Sequence, residues 1–509
     1  SLRALWAGNV AFGNDARAFS VGGGMTIDRR GHRAGPIWQW SAAEIAAAIR
    51  DRDVSATEVI SAVVERTAEQ NPAINAIVEG RFEAALAEAR DLDETLGSGA
   101  TSGPLAGVPV TIKVNVDQEG FATTNGVAAF ANVIAPADAP VTANLKRAGA
   151  IPFGRTNTPE FSFRATTDNE LYGRTMNPWN DWASAGGSSG GASAAAMMGF
   201  GPIHHGNDIG GSLRFPSYAC GATSVKPGHG RVPAYNPSQK VERGLMAQLM
   251  SVQGVIAREV RDVRLGLSAL VAPDPRDPFH VPFPLAGDGL PPVANEKRVA
   301  FTDDSLGFEI DPAVTRALET AAAALADAGY QVERVTPPMV KETADLGYRC
   351  LFGEMKVLMD ADIRRDGTAT LNGIFDQYFE NFPPFEGEEL LQAMAKRTYY
   401  ARAWSEFQET YPLTLTPFLF KPTFANDADI PGNAPFTDVL GAAHYSFAFN
   451  FLGLPAGLVP ADLNDGLPVG VQIVGRRWRE DLVIDALEAI EARVGVMADE
   501  LWRRRGEAA

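Results

Sequence analysis

No stretch restricts this chain more than Gly186 to Pro216. It reads Gly-Gly-Ser-Ser-Gly-Gly-Ala-Ser, then an Ala/Met run, then His-His-Gly-Asn-Asp-Ile-Gly-Gly-Ser-Leu-Arg-Phe-Pro. Two glycine-bracketed serines, Ser188 and Ser212, flank a segment whose pattern predicts a helix over 189–199 and a strand over 202–206. Glycine lets the backbone take positive φ and approach a bound group closely, so each hydroxyl can stand beside exposed N–H donors. A Gly/Ser octet in isolation reads as a flexible linker. Here Asn177-Pro178-Trp179-Asn180 precedes it and Ala194 to Met198 follow without a break, which is the pattern of a built turn.

Around this stretch helical and strand patterns alternate. Ser41-Ala-Ala-Glu44 and Ser55-Ala-Thr-Glu58 are capping boxes ahead of helices over 42–51 and 56–69, and a third helix is expected over 81–96. Gly107 to Lys113 reads as a buried strand with Lys113 at its end, and Val114 and Val116 keep the surroundings apolar. Helix 139–149 and strand 151–154 follow. Later come helix 260–271, strand 298–302, helix 313–328, strand 330–335, helical stretches 339–365 and 388–410, a strand at Val469 to Val474 and a final helix 480–494. The rhythm predicts an α/β fold: a large mixed, mostly parallel β-sheet covered by helices on both faces. Residues 1–36 read as an N-terminal extension, with Met25 as an alternative start, and 37–509 as a single domain. Two stretches rich in aromatics, proline and glycine, near 367–387 and 413–436, break the rhythm and are expected to be loop insertions walling a pocket.

Composition excludes several functions. A formal charge of −17, with no basic cluster, argues against a nucleic-acid partner. No apolar run approaches the roughly 20 residues that span a bilayer, and no secretory signal pattern is seen. Two cysteines, Cys220 and Cys350, without ligand spacing give no metal site, and a reducing, cytoplasmic location is the expectation. Cys220 reads as a buried core thiol. His204 and His205 are adjacent on a predicted strand and point to opposite faces, so they are not a metal pair.

A serine needs a neighbour to take its proton. Gly186-Gly-Ser188-Ser-Gly190 formally fits the nucleophile elbow of an α/β-hydrolase. That alternative needs an apolar strand before the elbow, which Asn180 to Ala185 is not. It also needs a late histidine, for which only His444 is available.

Taken together, the motifs resemble those of the amidase signature family. Besides the two serine motifs, they are Gly-Val-Pro-Val-Thr-Ile-Lys113, Gly154-Arg-Thr-Asn-Thr-Pro-Glu160-Phe, Lys226-Pro-Gly-His-Gly-Arg-Val232 and Leu467-Pro-Val-Gly-Val-Gln-Ile-Val-Gly475. The likeness runs from about 37 to 495 and implies that family's fold and a serine amidohydrolase without cofactor or metal. It implies a triad of Lys113, Ser188 (in a cis peptide) and Ser212. Ser212 is the nucleophile, and Ser188 and Lys113 relay its proton. The N–H groups of Ile209, Gly210, Gly211 and Ser212 form the oxyanion hole, and Asp208 and Arg214 brace the loop as an ion pair. Ser217-Tyr218 and Gly228-His229 depart from common family sequence, which bears on the substrate. The family's tRNA-dependent amidotransferase subunits are the alternative reading, but Phe215 stands where they tend to be polar. An inactive binding protein is disfavoured because all three triad positions are intact.

The expected partner is a small-molecule amide or carbamate, and the expected assembly a monomer or homodimer. The aromatic stretches, with Phe161, Phe163 and Tyr172, offer apolar walls and almost no cationic clamp. Hydrophobic or aryl amides and anilides, and aryl carbamates or esters, are therefore expected ahead of glutamine or acetamide.

Overall fold

A computed structural model describes residues 35–99, 103–287 and 289–507. The extension expected over 1–36 lies almost wholly outside the described residues. Eleven strands form one sheet: β1 (Ile77–Gly80), β2 (Pro109–Lys113), β3 (Ile151–Thr156), β4 (Ile203–Asp208), β5 (Thr223–Lys226), β6 (Val252–Ala257), β7 (Arg298–Phe301), β8 (Gln331–Arg334), β9 (Leu413–Thr416), β10 (Ala456–Asn464) and β11 (Leu467–Gly475). Their order across the sheet is β1-β3-β2-β4-β6-β5-β10-β11-β9-β7-β8.

The sheet is large and mixed, as expected. Parallel pairings hold β3–β2–β4 at one end and β9–β7–β8 at the other. The middle of the sheet and the β1 edge are antiparallel, a larger antiparallel share than helix–strand alternation implies. For one of these pairs the reason is local: Asp465-Gly466, both at positive φ, closes a tight hairpin between β10 and β11.

Helices cover both faces. A side chain at Gly457 of β10 would run into Leu487 of the helix Glu480–Val494, while one at Gly470 of β11, on the opposite face, would meet Tyr218 of the helix Arg214–Cys220. Both capping boxes are formed, with Ser41 and Ser55 accepting from Glu44 and Glu58 N–H. The expected helix after the first serine motif is Gly190–Met198, and every residue in it is buried. A Cβ on Gly191 would lie 2.4 Å from Asn157 N and 2.7 Å from Ala76 O, so this octet is a close-packed junction and not a linker.

Two segments differ from expectation. The stretch near 367–387 is mostly a helix, Ala369–Asn381, capped by Thr368. Leu371, Ile374 and Phe375 recur at helical spacing and are buried, so the aromatics belong to an amphipathic face. The stretch near 413–436 opens with β9, a buried strand between β11 and β7, before becoming irregular.

Candidate active site

Lys113 is the last residue of β2 and is fully buried. Its Nζ lies 2.6 Å from Ser188 Oγ, 3.0 Å from Asn207 Oδ1 and 3.1 Å from Ser189 Oγ. Burial pushes its pKa well below the usual lysine value, and the charge of Asp208 offsets this only in part. A neutral amine has two N–H donors and one lone pair. Donation to Asn207 and Ser189 leaves the lone pair to accept the Ser188 hydroxyl proton.

Ser188 follows a cis Gly187–Ser188 peptide just ahead of the helix Gly190–Met198. The two serine loops are tied together where Ser189 N donates to Ser212 O at 3.2 Å. Ser188 and Ser212 line the same cavity.

The loop carrying Ser212 is braced from beneath. Arg214 Nη2 and Nε lie 3.0 and 3.1 Å from the two oxygens of Asp208, with both residues fully buried. Burial alone would raise the Asp208 pKa, but Arg214 holds it at about 2. Asp208 also accepts from the N–H groups of Gly211 (2.7 Å) and Leu213 (3.0 Å). Of the four N–H groups expected as an oxyanion hole, one is engaged within the loop. The Gly211 N–H is spent on a carboxylate, whereas those of Ile209, Gly210 and Ser212 have no protein acceptor among the described residues.

Two spaces meet at Ser212. The larger, about 450 Å³, holds Ser188, Asn207 and Ser212 and is walled by Phe130, Phe161, Phe163, Leu351 and Met355. The smaller, about 50 Å³, is a recess walled by Gly210, Phe215, Tyr348, Phe352, Tyr378 and Phe447. Tyr348 is stacked between Phe382 and Phe447 at 4.0 and 3.7 Å, which fixes that wall. Phe161 and Ser162 take φ of 52° and 59°, a strained pair at the cavity surface.

Of the aromatics expected to wall the pocket, only Phe161, Phe163 and Tyr378 do so. Tyr172 instead donates to Glu79, and Phe418, Phe420 and Phe424 are core. Part of the apolar wall comes from the helix Val340–Leu358, which carries Tyr348, Leu351, Phe352 and Met355 and whose role no sequence motif signals. Arg243 also lines the cavity, with no ion-pair partner among the described residues, so a cation is present where almost none was expected. Asn207 and Ser189, unassigned from sequence, touch the lysine directly; their place inside the serine motifs was the available signal.

His204, His205 and His444 are engaged elsewhere. Both His204 and His205 are buried in β4 and hydrogen-bonded to Thr111 and Gln253, and burial depresses their pKa values to about 3 and about 4. His444 pairs with Asp345 at 2.9 Å and lines neither space. The nucleophile-elbow alternative therefore lacks its histidine.

Comparison with known proteins places the chain in a family. The Amidase family model matches residues 58–484. The chain is 43% identical to an indoleacetamide hydrolase of Bradyrhizobium diazoefficiens, over 92% of this chain and 89% of that protein. It is 32% identical to an acylamidase of Rhodococcus erythropolis (81% and 86% covered). The A-type subunit of the glutamyl-tRNA(Gln) amidotransferase of Moorella thermoacetica is 31% identical (84% and 89%). Among solved structures, a bacterial aryl acylamidase superposes with a TM-score of 0.76 at 26% identity, covering 91% of this chain and 98% of that one.

Proposed function

This chain belongs to the amidase signature family and is an amide hydrolase, and we propose that it acts on hydrophobic or aryl amides through Ser212, with Ser188 and Lys113 as the proton relay. Neutral Lys113 takes the Ser188 proton as Ser188 takes that of Ser212. Ser212 Oγ attacks the carbonyl carbon, and the oxyanion meets the N–H groups of Ile209, Gly210 and Ser212. The relay run backwards protonates the leaving nitrogen, the C–N bond breaks and an acyl-Ser212 ester remains. Water, deprotonated through the same relay, cleaves that ester and restores the serine.

The observation that carries this reading is the cavity of about 450 Å³ that holds Ser188, Asn207 and Ser212 beside an apolar wall of Phe130, Phe161, Phe163, Leu351 and Met355. A ring placed there gains roughly 25 cal/mol per Å² of apolar surface removed from water. The relatives named for indoleacetamide and acylamide hydrolysis support the same class. Indole-3-acetamide and acyl anilides are the first substrates to try, with aryl carbamates and esters beside them.

In this reading the enzyme works as a monomer or homodimer in the cytoplasm, without the partner subunits of an amidotransferase. No helix among the described residues is long and apolar enough to cross a membrane. The test is kcat/KM for indole-3-acetamide and acetanilide against glutamine and acetamide. A preference for glutamine, or co-elution with amidotransferase subunits, would overturn the assignment.

A further inference from the structure

The catalytic cavity opens onto an apolar rim. Among the large apolar side chains left exposed, Val241 (79%), Leu245 (55%), Val357 (78%) and Leu358 (56%) fall in two facing segments. One segment leads into the short helix Leu245–Met250, and the other ends the helix Val340–Leu358. They are joined through Glu354, whose carboxylate accepts from Met246 N at 2.8 Å and Ala247 N at 3.0 Å. Val241 and Leu358 also line the cavity, together with Met355 and Met359. Contiguous exposed apolar surface is unfavourable in water and marks a binding surface.

We infer that this rim is an outer subsite, which receives the distal apolar part of a substrate too long for the inner cavity. The substrate class is then an amide with an extended uncharged tail, an alkyl chain or a second ring. This rests on the proposed amide-hydrolase reading of the cavity. Continuity is the argument: the same two side chains, Val241 and Leu358, face both the cavity and the outside. The polar neighbours include Gln239, Glu242, Arg243, Glu354 and Asp362, and Asp362 is paired with Arg365 at 2.8 Å. With three carboxylates here, Glu242, Glu354 and Asp362, and a formal charge of −17, an anionic membrane surface is a poor occupant.

The test uses two homologous series: 4-nitroanilides with acyl chains from acetyl to decanoyl, and acetanilides with para-alkyl chains from methyl to octyl. Once the inner cavity is filled, kcat/KM should climb in at least one series, roughly two- to fourfold per added CH₂. In a V241D/L358D variant the ratio of long-chain to short-chain kcat/KM should fall at least tenfold, and in V241N/L358N by less. Leu391→Asp, an exposed leucine outside the cavity lining, should leave the ratio as in the parent.

Two flat series, or an unchanged ratio in V241D/L358D, would overturn the subsite. Flotation on phosphatidylcholine vesicles that is lost in V241D/L358D while the ratio stays constant would assign the rim to a lipid surface instead. Turnover of short anilides without length dependence removes only this inference. No turnover of any anilide or of indole-3-acetamide removes the functional reading as well.

Discussion

Lys113 Nζ and Ser188 Oγ stand 2.6 Å apart where the lysine is fully buried, and burial pushes the amine's pKa well below the usual lysine value, the direction a proton relay needs. The pH profile follows from the direction of the shift. Below its depressed pKa the amine is protonated and has no lone pair, so kcat/KM should rise through an acid limb lying well below pH 10.5 and then level off. Asn207→Asp places a carboxylate where Oδ1 now sits, 3.0 Å from Nζ, and should move that limb to higher pH by about one unit or more. Profiles of both forms between pH 5 and 10 check this; an unmoved limb would mean that another group is titrating.

The two serines should respond differently to the same chemistry. A fluorophosphonate probe should label Ser212, and Ser212→Ala should abolish both labelling and turnover while the protein stays folded. Ser188→Ala, which breaks the relay but keeps the nucleophile, should lower kcat by roughly 10²–10⁴-fold. Mass spectrometry of the labelled peptide decides between them, and label on Ser188 would reverse the assignment.

Burying Lys113 costs stability. Its folded pKa lies below the unfolded value, so the folded state binds fewer protons and stability rises with pH between the two values. At neutral pH the parent bears this cost, and Lys113→Met should unfold later in urea by roughly 1–2 kcal/mol while losing activity. The pH slope of stability in that interval should flatten in the variant. A less stable K113M would show that the lysine's hydrogen bonds outweigh its desolvation.

Asp208→Asn leaves the fully buried Arg214 without its counter-charge and removes a carboxylate that holds the Gly211 and Leu213 N–H groups. Breaking a buried ion pair from one side typically costs about 3–5 kcal/mol. Urea denaturation should show a loss of that order. Asp208→Asn combined with Arg214→Met should recover part of it, whereas equal losses in the single and double variants would mean that the loop contacts dominate.

The sequence by itself determined the family, and with it the chemistry proposed here. Lys113, Ser188, Ser212 and the Asp208–Arg214 pair sit in motifs whose glycines and apolar neighbours are local, and the helix and strand carrying them follow from periodicity over short windows. Tertiary structure alone decided which residues surround those groups. Asn207 and Ser189 reach the lysine because β4 lies beside β2 and the two serine loops meet, contacts that no local pattern encodes. Part of the pocket wall is supplied by the helix Val340–Leu358, far along the chain from the serines, whereas Phe418, Phe420 and Phe424 look alike in sequence and are core. An aromatic residue's hydrophobicity is a property of its side chain, but whether it faces a core or a cavity depends on what packs against it from elsewhere. The Gly211 N–H makes the same point at one atom: its glycine is legible in sequence, and its engagement by Asp208 depends on how the loop folds back.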